Sequence, residues 1–95
     1  MTFTVFVDDN GHYRDEPARY RKGDYATWDE AVTICREMVD DYLASAHRPG
    51  MSADDLFRNY TAFGEDPFVV PVPDGLAWSS WDYARARCDE ICDAK

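Results

Sequence analysis

The chain has 95 residues, of which 45% are hydrophobic and 15% aromatic; 19 acidic against 10 basic residues give it a formal charge of −9. That is the length of one domain, able to bury only about 60–65% of its unfolded surface, so the aromatic residues must supply much of the core. The charge disfavours generic contact with phosphate backbones or anionic membranes, and no apolar run approaches the roughly 20 residues a membrane helix needs.

Thr2 to Val7 alternates as a strand, with Phe3, Val5 and Val7 on one face and Thr2, Thr4 and Phe6 on the other. Asp9-Asn10-Gly11 then turns the chain. A two-residue Asn10-Gly11 turn would set Val7 opposite Arg14 and Val5 opposite Glu16. A three-residue loop with Gly11 left-handed sets Val7 opposite Tyr13 and Asp8 opposite His12, which matches apolar to apolar and acid to imidazole and is preferred. Asp15-Glu16-Pro17 breaks the pattern. Arg19 to Thr27 resumes it as a second extended segment carrying Tyr20 and Tyr25, with Gly23 marking a bulge or turn.

The first long helix opens on a capping box, Thr27 with Glu30, in which side chains satisfy two orphaned backbone donors. Ala31, Val32, Cys35, Met38, Val39, Tyr42 and Leu43 recur at helical spacing, Asp40 lies on the polar side, and His47-Arg48 before Pro49-Gly50 ends the run. Ser52 with Asp55 opens a shorter helix whose apolar side is Leu56, Phe57 and Tyr60, and Gly64 closes it. Phe68 to Pro73 is an extended run whose prolines confine it to a sheet edge. Ser79 with Asp82 begins the last helix, where Trp81, Ala84, Cys88, Ile91 and Cys92 share a face and Arg85 and Asp89 pair at i,i+4. The expected fold is a single α+β domain: a small antiparallel sheet from the N-terminal hairpin and the Tyr20–Tyr25 segment, with Phe68–Val72 as a further candidate strand. Three helices cover it, mainly on one face, in the order β-β-α-α-β-α.

Cys35, Cys88 and Cys92 are an odd set preceded by nothing resembling a secretory leader, which points to a reducing, cytoplasmic setting. Cys88 and Cys92 could offer two thiolates to zinc. The second pair of a structural zinc motif is missing, however, and all three cysteines fall on apolar stripes, where cysteine acts as a small hydrophobe; no metal or other cofactor is expected. Asp8 to Gly11 fails as a calcium loop, since Tyr13 and Arg19 stand where glycine and glutamate are required. His12 is explained by a cross-strand pair with Asp8 and His47 by a helix end. No nucleophile elbow, phosphate loop or dinucleotide fingerprint occurs, so no catalytic residue is assigned and no enzyme activity is expected.

The residues that folding explains least are the aromatics. Phe6 sits on the strand face shared with Thr2, Thr4 and Asp8, whereas Trp81 is expected in the core with its helical stripe. Acids come in pairs along the whole chain, Asp40-Asp41 among them, and basic residues gather only at Arg14, Arg19, Arg21 and Lys22, with a smaller pair at Arg85 and Arg87.

Val7-Asp8-Asp9-Asn10, His12-Tyr13, Asp15-Glu16 and Arg19-Tyr20 resemble segments of a family of small bacterial proteins of unknown function. So do Pro49-Gly50-Met51, Phe63-Gly64-Glu65-Asp66-Pro67-Phe68, and Trp81-Asp82-Tyr83-Ala84 with Cys88 and Cys92. The resemblance covers most of the chain; Gly11 departs from it, the family carrying a large aromatic there. It implies a bacterial cytosolic protein and brings no activity or cofactor. The expectation is a non-catalytic interaction or regulatory module acting by protein–protein contact, with Phe6, Asp40 and Asp41 as the candidate surface and no membrane or direct nucleic-acid partner. Alternatives are an acidic mimic of nucleic acid that occupies a basic groove, and a small-ligand domain.

Overall fold

Residues 2–9 and 19–93 are described by the structure, a computed structural model. Strands β1 (Phe3–Asp9) and β2 (Arg19–Tyr25) lead into helices α1 (Trp28–Ala46) and α2 (Ala53–Phe63), then strand β3 (Glu65–Val70) and helix α3 (Ser80–Asp93). The order β-β-α-α-β-α and the α+β class are those expected. All three strands join one antiparallel sheet, arranged β2-β1-β3, so the N-terminal strand is central.

Strand β1 is paired on both edges. Val7 lies between Tyr20 and Pro67, and Asp8 between Arg19 and Asp66. This corrects both expected hairpin registers, because the β2-side neighbours of Val7 and Asp8 are neither Tyr13 nor Arg14, and not His12. The physical reason is that both edges of β1 are taken, by β2 and β3, with Val5 and Val7 buried; in that register Asp8 accepts two hydrogen bonds from the Arg19 guanidinium, at 2.7 and 3.2 Å. The Asn10-Gly11 turn, His12, Tyr13, Arg14 and Glu16 lie outside the described residues. Gly23 does mark a bulge: Val5 pairs with Gly23 and Phe6 with Arg21, leaving Lys22 as the extra residue.

Strand β3 is an edge as expected, but it begins at Glu65 and ends before Pro71, so the proline inside it is Pro67 and not Pro71 or Pro73. Pro67 has no N–H for a ladder, and the carbonyls of Glu65 and Pro67 are taken by the Tyr60 hydroxyl at 2.6 Å and the Trp78 indole N–H at 3.0 Å. Side chains thereby occupy backbone acceptors that an incoming strand would use.

Each helix starts where its cap dictates. The backbone N–H groups of Glu30, Asp55 and Asp82 donate to the side-chain oxygens of Thr27, Ser52 and Ser79 at 3.1, 3.1 and 3.2 Å. At the far end of α1, Arg48 donates to the carbonyls of Ser45 and His47. Gly64 closes α2 because a Cβ there would stand 2.6 Å from the Tyr60 ring and 2.8 Å from its carbonyl oxygen.

The core has two parts that share α1. Val5, Val7 and Val69 of the sheet pack on Ala31, Val32 and Cys35, with Phe3, Tyr25, Trp28, Met38 and Trp78 around them. Further along α1, Val39 and Leu43 pack on Leu56 and Tyr60 of α2 and Ala84 and Cys88 of α3. The 3.6-residue period of α1 builds both parts, and the two-residue period of β1 commits Val5 and Val7 to one side.

Candidate functional site: the open face of the sheet

Because β1 alternates, sending Val5 and Val7 into the helices leaves Thr4, Phe6 and Asp8 on the opposite face. The register sets Phe68 opposite Phe6 and Val70 opposite Thr4 from β3, and Arg21, Asp24 and Arg19 beside Phe6, Thr4 and Asp8 from β2. The Phe6 and Phe68 rings stack at 5.8 Å between centroids with 25° between planes. Arg19 lies over the Phe68 ring, 4.9 Å from its centroid, while its Nε–H holds Asp8. Thr4 donates to Asp24 at 2.6 Å, and Arg21 pairs with the same carboxylate. Val70 remains 44% exposed. The result is an aromatic centre with a rim of matched charge, and none of the described helices packs on it.

Two of the three basic residues of β2 are therefore paired within the chain. Arg19 serves Asp8 and Arg21 serves Asp24, so these two members of the basic island are neutralised locally. Hydrogen bonding and attraction to Asp8 push the Arg19 pKa up from its ordinary value.

Phe6, Asp40 and Asp41 do not form one site. Phe6 is on the open sheet face and Asp40 is on α1, where it accepts from the Tyr83 hydroxyl at 3.0 Å and from Arg87 Nε at 2.9 Å. Asp40 thus ties α1 to α3, a role that helix periodicity could not show. Asp41 is exposed. Phe68 and Arg19, the missing members of the face, were legible only as alternating residues in β3 and β2, because contact across strands depends on a register the sequence left open.

Trp81 also differs from expectation. It is 43% exposed and meets Phe57, itself half-buried, edge-on at 6.3 Å. The spacing 81, 84, 88 fixes the side of α3 correctly, since Ala84 and Cys88 are fully buried, but spacing does not say how much of a neighbour stands over each turn.

The cysteines lie in separate environments. Cys35 is buried beneath the sheet and Cys88 among the helices, while Cys92 is half-buried; no disulfide joins them. Desolvation, with help from Asp66, pushes the Cys35 thiol up to about 12. Desolvation and the nearby Cys92 push Cys88 up to about 11. Both are inert, neutral thiols at physiological pH. Among the described residues no three His, Cys, Asp or Glu side chains gather closely enough to hold a metal ion. A shallow, open depression lined by Tyr25, Asp29, Glu30, Thr33 and Ile34 lies at the start of α1. No helix among the described residues is long and apolar enough to cross a membrane.

One carboxylate is held at a cost. Asp66 at the start of β3 stands opposite Asp8 and accepts a hydrogen bond from Ser80, the first residue of α3. Desolvation is the main cause of its raised pKa; the Asp8 charge adds to the rise and the Ser80 hydrogen bond opposes it.

Comparison with protein-family models, curated proteins and solved structures gives no match. The resemblance to small bacterial proteins therefore rests on the residues quoted above.

Proposed function

We propose that this protein is a non-catalytic interaction module that works by protein–protein contact through the open face of its sheet. The observation that carries the reading is the Phe6–Phe68 stack with Val70 beside it, apolar surface that the described helices do not cover. Aromatic centres ringed by polar groups are the usual form of a contact hot spot, where a few large side chains supply most of the affinity. Mimicry of a phosphate array is the poorer account of the acids, since Asp8, Asp24, Asp40 and Asp54 are each engaged by an arginine of the same chain. A bacterial, cytosolic setting goes with this reading, supported by the three thiols and by the resemblance.

The test is affinity capture from a bacterial cytosol, with the wild-type chain, Phe6→Ala, Phe68→Ala and an α1 control, Glu37→Gln, as parallel baits. Quantitative mass spectrometry should find a partner that both phenylalanine variants lose and the control keeps, with all four proteins giving native circular dichroism. A partner that normally binds nucleic acid, lost with salt but kept by Phe6→Ala, would instead support the mimic.

A further inference from the structure

We propose that the α2–α3 face around Trp81 and Phe57 is a docking site for a basic segment of a partner protein, one that sets a lysine or arginine beside an apolar side chain. This inference stands apart from the open sheet face, so either reading survives the failure of the other.

Trp81 leaves nearly half of its surface in water at the start of α3, against Phe57 of α2. The same cluster already holds a cation against an aromatic ring: the Arg85 guanidinium carbon lies 5.5 Å from the Phe57 centroid. Indole is a better acceptor of such a contact than phenyl, and tryptophan is among the residue types most enriched at contact hot spots. The patch is therefore apolar, with Arg85 on the Phe57 ring and the Trp81 indole left part-exposed beside it.

The surrounding charge favours the same occupant. Asp54 and Asp55 stand in the first turn of α2, with Asp82 and Asp89 on α3. Against these four carboxylates are two arginines, Arg85, 2.7 Å from Asp54 and 4.0 Å from Asp89, and Arg58, 3.6 Å from Asp55. Acid is in excess around the patch, within a chain of formal charge −9. A second copy would bring like charge to like charge, and an acidic partner would do the same. A basic segment relieves the excess and supplies the cation that the indole accepts.

Random peptides displayed on phage and selected on the full chain at low salt test this directly. Enrichment of sequences with lysine or arginine flanking an apolar residue is expected. A synthetic peptide from that set should lose at least about tenfold in affinity against Trp81→Ala, keep its affinity for Phe6→Ala, and weaken severalfold between low and physiological salt. Trp81→Phe, which preserves an aromatic ring, should keep the fold and lose less. Asp54→Asn combined with Asp82→Asn should reduce the salt dependence while leaving Trp81 in place. Absence of enrichment, a selected set without basic bias, or affinity indifferent to Trp81→Ala would each overturn the proposal. So would a dimer in sedimentation that Trp81→Ala dissociates, since the occupant would then be a second copy.

Discussion

Replacing Cys35 by serine should destabilise the fold by about 1–3 kcal/mol, the range for burying a poorly partnered hydroxyl. Cys35 is completely buried between Val5, Val7 and Val69 on one side and Ala31 and Val32 on its own helix. Exchanging sulfur for oxygen removes polarisable volume from a close-packed site and introduces a group that must be desolvated. The new hydroxyl does have one outlet, a bond back to the carbonyl four residues earlier in α1, which would hold the cost toward the lower half of the range. For a chain of this length each kcal/mol moves the melting temperature by about 4–8 °C, so a fall of roughly 5–15 °C is expected. Asp40→Asn supplies the comparison. It retains an oxygen for the Tyr83 hydroxyl and loses only the attraction to Arg87 in a part-exposed ion pair, worth about 0–1 kcal/mol. Urea melts at neutral pH should therefore give a clearly lower midpoint for Cys35→Ser with an unchanged slope. Coincident midpoints would show that Cys35 is not under the sheet, and the assigned face of α1 would fall with it.

Two further outcomes follow from the titrating groups. With its folded pKa raised above the ordinary value of 3.8, Asp66 binds its proton more tightly in the folded state, so its contribution is most favourable in acid and is lost as pH rises through the folded value. Asp66→Asn, which keeps an acceptor for Ser80, should accordingly melt above wild type at about pH 7, with the advantage shrinking toward about pH 4; a constant difference across that window would refute the linkage. The thiols differ in access, so a thiol reagent at neutral pH should label Cys92 first in the native protein and reach Cys35 and Cys88 only on unfolding. Intact-mass spectrometry showing Cys35 or Cys88 labelled before Cys92 would contradict the two buried clusters.

The parts of this fold that the sequence shows plainly are those set by local chemistry. Thr27, Ser52 and Ser79 each cap the helix they were read to open, because a hydroxyl three residues before an acceptor-poor N–H needs no tertiary context. The buried face of α1, Ala31 through Leu43, likewise follows from spacing alone. Strand pairing did not follow. Residues 10–18 separate the two strands, and the partner of Asp8 is an arginine at the far end of that interval, whereas turn chemistry at Asn10-Gly11 argued for a neighbour close by. Burial of Val5 and Val7 sets which face of β1 turns inward, and the observed register then brings Arg19 beside Asp8.

The candidate site divides along the same line. Phe6 was legible as a large side chain on the wrong side of its strand, because alternation commits it away from Val5 and Val7 whatever its neighbours are. Its environment was not, since Phe68 reaches it only through the β1–β3 register and Arg19 only through the β1–β2 register. Asp40 and Trp81 show the same limit from opposite sides: helical period reports direction and not depth. Asp40 points to the polar side yet meets Tyr83 and Arg87, because α3 crosses close enough to reach around the edge of the stripe. Trp81 points to the apolar side yet stays half in water, because its neighbour there, Phe57, is itself only half-buried. Both depend on where a second helix stands, and that position is fixed by Tyr60, Ala84 and Cys88 packing between α2 and α3. A sequence pattern that treats each helix alone cannot hold that information, so surface residues at helix seams are where functional assignments from sequence need the packed structure most.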